Sequence, residues 1–130
     1  MATILVIEDN PANMKLSCFL LNKAGHVVLQ ADRAEAGMTL AHDKHPDLIL
    51  LDIQLPGIDG LAAARRLKFS AGTADIPIYA FTGLAMKGDR EKIFASGFDG
   101  YITKPISVDT FLKEIEGALK RDPSGSSQSA

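Results

Sequence analysis

A chain of 130 residues has room for one domain with a sizeable core and is too short for two ordinary ones. Its hydrophobic share of 46% and charged share of 23% are those of a compact globular protein, and a formal net charge of -2 argues against a nucleic-acid binder held by phosphate neutralisation. No apolar run reaches the roughly 20 residues of a bilayer crossing, the start "MATILVIEDN" has no basic n-region or cleavage site, and the single cysteine, Cys18, allows no internal disulfide. These features predict a cytoplasmic protein without membrane insertion, with Cys18 as a small core filler.

Five short apolar runs recur along the chain: "TILVI" (3–7), "HVVLQA" (26–31), "LILL" (48–51), "IPIYAF" (76–81) and "GYIT" (100–103). They are rich in β-branched and aromatic residues, and several are continuously apolar, which predicts parallel strands covered on both faces. Helical spacing fills the gaps between them. The first helix opens at Asn10 as N-cap with Pro11 in its first turn, places Leu16, Leu20, Leu21 and Ala24 on one face, and stops at Gly25. The second opens with Asp32 and Glu35 in an acidic variant of the capping box and runs through Met38 and Ala41 to about Lys44. The third follows Asp59, with Leu61, Ala64 and Leu67 turned inward.

A weaker fourth helix spans about Met86 to Ser96, interrupted by Gly88, with Met86, Ile93 and Phe94 as its apolar stripe. The fifth, Val108 to Lys120 after Ser107, aligns Phe111, Leu112, Ile115, Ala118 and Leu119. Residues 122–130, "DPSGSSQSA", read as a disordered polar tail behind a single domain over 1–121. Five strand–helix alternations predict an α/β fold: a single (βα)5 doubly wound parallel sheet, with ligands bound outside the carboxyl ends of the strands.

That edge collects the polar residues that follow the strands. Glu8 and Asp9 follow the first, Asp52 the third, Thr82 the fourth, and Lys104 with Pro105 the fifth. If strands one and three are neighbours, three carboxylates converge and repel, so something must neutralise them. Mg²⁺ suits one or two carboxylates, keeps several waters and leaves room for phosphate oxygens. Thr82 supplies a hydroxyl and Lys104 a compact positive charge. Carboxylates, a divalent cation, a hydroxyl and an ammonium describe a phosphoryl-transfer site, with Asp52 as nucleophile forming an aspartyl phosphate. Taken singly, each residue has a plainer reading: a strand-end carboxylate, a turn cap in "PGIDG", a core hydroxyl, a solvated lysine. Their joint placement favours the chemical one.

"VIEDN", "LILLDIQLPGIDG", "AFTG" and "YITKPIS" resemble, in order, the four signature blocks of the response-regulator receiver family, over about Thr3 to Lys120. The resemblance implies the flavodoxin/CheY-like strand order 2-1-3-4-5. It implies Asp52 as phosphoacceptor, with Asp9 and Asp52 as direct metal ligands. Glu8 acts through water, and the main-chain carbonyl of Gln54 is a further ligand. It implies Thr82 as the switch hydroxyl, Lys104 as its charged partner before an often cis Pro105, and Tyr101 as the aromatic switch. The phosphoryl donor it implies is the phosphohistidine of a histidine kinase or histidine phosphotransfer protein. The signal then passes to a downstream protein target through the surface of helix four, strand five and helix five. Within the family the wording is similar to stand-alone regulators of the DivK type, and also to receiver modules of hybrid kinases. Gln54 and Leu84, two residues beyond Asp52 and Thr82, flank the path of hydrolytic water in the family. An aliphatic Leu84 there predicts slow self-dephosphorylation.

Competing functions fit less well. A haloacid-dehalogenase-type phosphatase needs an acid two residues after its nucleophile, where Gln54 stands. A nucleotide-binding module needs a glycine-rich loop after strand one, and "EDNPAN" is acidic and glycine-free. The expectation is therefore a phosphoacceptor that catalyses only its own phosphorylation and dephosphorylation, not an enzyme with a separate substrate. His26, His42 and His45 are read as surface residues, and Lys87, Arg90 and Lys92 as a solvated helix face.

Overall fold

The computed structural model describes residues 2–55, 60–83 and 87–120. Among them, five strands alternate with five helices. The strands are β1 (Thr3–Ile7), β2 (Val27–Ala31), β3 (Leu48–Asp52), β4 (Ile78–Thr82) and β5 (Gly100–Thr103). The helices are α1 (Pro11–Lys23), α2 (Ala34–Lys44), α3 (Gly60–Phe69), α4 (Lys87–Ala95) and α5 (Val108–Lys120). All strand pairings are parallel, in the order β2-β1-β3-β4-β5.

The continuous apolar runs fall where two-sided burial demands them. Successive residues of β1, β3 and β4 point to opposite faces of the sheet, so each strand feeds two cores. Ile4, Val6, Leu48, Leu50 and Phe81 pack with Leu20 and Leu21 of α1 and Phe111 and Ile115 of α5. Leu5, Ile7, Ile49, Leu51 and Ala80 pack with Ala34 and Ala41 of α2, Ala63, Ala64 and Leu67 of α3, and Ile93 of α4. The edge strand β2 is only partly covered, and Val27 is exposed.

Helix ends follow local chemistry. Oδ1 of Asn10 accepts the N–H of Asn13 at 3.0 Å, and Pro11 opens α1, as predicted. Gly25, at φ +92°, takes the left-handed conformation that ends α1 without a Cβ penalty. The expected capping box of α2 does not form: Arg33 is the N-cap, makes no side-chain cap bond, and pairs with Asp32 at 3.7 Å instead. Strand four begins two residues later than expected, because Pro77 has no N–H to donate and only its carbonyl joins the ladder, accepting from Ile49 at 3.0 Å. Strand two likewise begins at Val27, since the His26 N–H turns back to the Leu21 carbonyl at 3.0 Å.

Two burial assignments change. His26 is buried, because its ring is held between the Ala2 N–H, which its Nδ1 accepts at 3.1 Å, and Glu116 of α5, whose Oε2 lies 3.5 Å from its Nε2. Phe94 is half exposed although Ile93 beside it is buried, so the stripe on α4 is narrower than expected. His42, His45, Arg90 and Lys92 are exposed as predicted. Met86, Leu84, Asp59 and the tail over 122–130 lie outside the described residues, as does the side chain of Lys87. No helix among the described residues is long and apolar enough to cross a membrane.

Candidate functional site

The parallel register sets the C-terminal ends of β1, β3, β4 and β5 side by side. Ile7 pairs with Leu51 and Asp52 with Phe81, so Asp52 has Glu8 on its β1 flank and Phe81, followed by Thr82, on its β4 flank. Asp52 is the last residue of β3 and only 4% exposed. The sequence places it just past the strand, at an open edge. Its neighbours instead extend alongside it, and Lys104 closes over it. Thr82 is the last residue of β4, also buried, and pairs with Thr103. Its carbonyl accepts the Lys104 N–H at 2.7 Å, which fixes where the lysine leaves the sheet. The Lys104–Pro105 peptide is cis.

The charges meet around Lys104. Its Nζ lies 2.8 Å from Oε1 of Glu8 and 3.2 Å from Oδ2 of Asp52. The Gln54 N–H donates to Oδ1 of Asp52 at 2.9 Å, and the Asn10 N–H to Oε2 of Glu8 at 3.0 Å. Each carboxylate is thus held by one backbone amide and one shared ammonium. Burial first, and then the neighbouring Asp52, pushes the Glu8 carboxyl above its ordinary range, although Lys104 and the Asn10 amide pull it down. Burial pulls the Lys104 ammonium the other way, but Glu8 and Asp52 together outweigh it and raise its pKa.

One cation does not balance three acids. Glu8, Asp9 and Asp52 offer oxygens that all lie within 4.8 Å of one another, with Asp9 exposed and the other two buried. Oε1 of Glu8 has no well-directed hydrogen bond despite its burial, its ion pair with Lys104 being a contact of charge. Hard oxygen donors and excess negative charge suit a small divalent cation. The cluster opens to solvent on the α1–α2 side through a cleft of about 430 Å³ that reaches Asp32.

Of the residues singled out from sequence, Glu8, Asp9, Asp52, Gln54, Thr82 and Lys104 converge on this edge. Tyr101 does not. It lies partly buried in the core on the α4 side, its ring edge-on to Phe94 at 6.2 Å between centroids. Two further residues have no signal of their own in the sequence. Phe81 presents its ring to the Lys104 ammonium at 5.0 Å. Gly60 brings α3 against the end of β3 so closely that a Cβ there would stand 2.5 Å from the Asp52 carbonyl oxygen.

Comparison with known proteins agrees with this architecture. The model of the response regulator receiver domain matches residues 4–116. The polar-differentiation response regulator DivK of Brucella ovis is 41% identical over 117 residues, covering 90% of this chain and 95% of that protein. The receiver domain of a sensor histidine kinase from Pseudomonas aeruginosa, solved with a magnesium ion coordinated in the active site cleft, is 28% identical with a TM-score of 0.85, over 92% of this chain and 98% of that one. The BeF3-activated N-terminal receiver domain of RstA from Klebsiella pneumoniae is 27% identical with a TM-score of 0.81, over 92% and 99% of the two chains. A family match over most of the chain, a relative at this identity and the same strand order lead to one assignment: the chain belongs to the response regulator receiver domain family of two-component systems, and is DivK-like.

Proposed function

We propose that the protein is a single-domain response regulator that accepts a phosphoryl group on Asp52 from the phosphohistidine of a histidine kinase or histidine phosphotransfer protein. The observation that carries this is Lys104 held 3.2 Å from a buried Asp52 carboxylate, beside a cluster of three acidic residues whose oxygens lie within 4.8 Å of one another. A carboxylate oxygen of Asp52 attacks phosphorus as the P–N bond to the donor imidazole breaks. The electron pair of that bond stays on the imidazole nitrogen, and the phosphoryl charge passes to the aspartyl group. The Gln54 N–H, already on Oδ1, fixes the plane of the carboxylate for the attack. Lys104 pairs with a phosphoryl oxygen, and the Thr82 hydroxyl donates to another.

Asp9 and Asp52 would hold Mg²⁺ directly, Glu8 would hold it through water, and the Gln54 carbonyl would be a further ligand. When bound, the ion supplies positive charge against the phosphoryl oxygens. Movement of Thr82 toward the phosphoryl group draws Tyr101 inward, and the surface of α4, β5 and α5 presents the change to a downstream protein. The domain spans 1–121, works in the cytoplasm and turns over no separate substrate, catalysing only its own phosphorylation and dephosphorylation. Incubation with Mg²⁺ and acetyl phosphate yields an acid-stable, base-labile adduct that a chelator abolishes and Asp52→Asn lacks. An adduct that survives either change refutes the assignment.

A further inference from the structure

Among the described residues of the site, Lys104 alone crosses from β5 to the carboxylates of β1 and β3, and its long side chain needs something to aim it. Two of the groups that hold its ammonium are Glu8 at 2.8 Å and Asp52 at 3.2 Å. Both belong to the acidic cluster that suits a divalent cation, and a cation there takes over the negative charge that attracts the lysine. A third contact does not depend on those charges. The ring of Phe81 lies 5.0 Å from Nζ, within the range of a cation–π interaction.

The ring is rigidly placed. Phe81 is fully buried, pairs with Asp52 on one side and Ile102 on the other, and stacks at a tilt on Phe111 with centroids 6.4 Å apart. Lys104 itself is mostly buried, with its side chain 20% exposed, so the contact is largely desolvated and correspondingly stronger. We infer that Phe81 is a positioning residue for phosphorylation: its ring face keeps the Lys104 ammonium over Asp52 when the acidic cluster is occupied by metal. The inference rests on the proposed role of Lys104, and adds to it the residue that aims the lysine.

The test replaces Phe81 alone, by site-specific incorporation, with 4-fluoro-, 3,5-difluoro- and 3,4,5-trifluorophenylalanine in the full chain. Fluorination drains the negative ring face while leaving shape and packing nearly unchanged, so a merely structural ring shows no trend. Acetyl-phosphate labelling at saturating Mg²⁺ falls stepwise along the series, reaching about three- to thirtyfold at the trifluoro ring, the range a desolvated cation–π contact supports. Phe81→Leu falls at least as far, with thermal melts checking that it remains folded. A second measurement needs no phosphorylation: the Lys104 Hε protons carry an upfield ring-current shift that persists when Mg²⁺ is added. A flat labelling series, or loss of that shift on adding Mg²⁺, overturns the inference. Absence of labelling in the unsubstituted protein refutes the proposed function instead, and the ring-current measurement still decides the placement of Lys104.

Discussion

Lys104 compensates two buried carboxylates at once, so its loss is felt before any phosphoryl donor arrives. With the charge removed, Glu8 and Asp52 face each other uncompensated, and breaking such a pair by deleting one partner is strongly destabilising. Discounted for the partial exposure of the lysine, Lys104→Met lowers the stability of the metal-free protein by about 2 kcal/mol at pH 7. The deficit shrinks on acidification. Glu8 titrates above its ordinary 4.5 in the folded chain, because burial and Asp52 disfavour its charge. Its proton-linked contribution is therefore full below 4.5 and disappears as pH rises through the raised folded value. Urea unfolding in EDTA at pH 5 and pH 7 measures this, and an equal deficit at both pH values contradicts it. The acids, the hydroxyl and the lysine were all legible, because each follows an apolar run. The role of Phe81 was not: a phenylalanine inside "IPIYAF" reads as core until the register of β4 and β5 sets it under Lys104.

At the scale of the element, the junction of β3 and α3 carries the site. Gly60 begins α3, its N–H donates to the Ile53 carbonyl at 2.9 Å, and its Cα lies against the backbone of residues 52 and 53. A methyl group there would meet the Asp52 carbonyl oxygen at 2.5 Å and the Ile53 Cα at 2.6 Å, backbone atoms that cannot swing aside. Gly60→Ala therefore costs about 1–3 kcal/mol as α3 shifts, and displaces the segment whose Gln54 amide orients Asp52. Thermal melting reads the stability, and the acetyl-phosphate labelling rate, lowered severalfold, reads the displacement. A stable variant with unaltered labelling would show that the junction tolerates the shift. Strand and helix periodicity placed these elements within a few residues. Their ends differed where one hydrogen bond decided, as at Pro77, at His26 and at the uncapped start of α2.

For the whole molecule, the sheet edge is a compromise between burial and charge. The central strands are driven inward by their apolar residues, and they carry Glu8 and Asp52 into cover with them. A divalent cation that binds only the folded chain returns part of that cost, about 2.7 kcal/mol at a hundredfold excess over its dissociation constant. Mg²⁺ thus raises the melting temperature of the unmodified protein by several degrees, and Asp9→Asn, which removes the exposed acid of the cluster, abolishes most of the rise. Differential scanning calorimetry with and without EDTA checks both, and an undiminished Mg²⁺ response in Asp9→Asn would remove Asp9 from the ligand set.

The order of apolar runs, turn residues and strand-end polar groups was enough, by itself, to determine the alternating α/β architecture and the residues that share one edge. Both follow from short-range rules: a strand covered on both faces is apolar along its length, and its first polar residue marks the end of the strand where the functional edge lies. Only the tertiary structure decided how deep Asp52 sits, which oxygens Lys104 bridges, and which ring lies beneath its ammonium. Those are distances between strands remote in sequence, set by register and packing, and no local pattern encodes them.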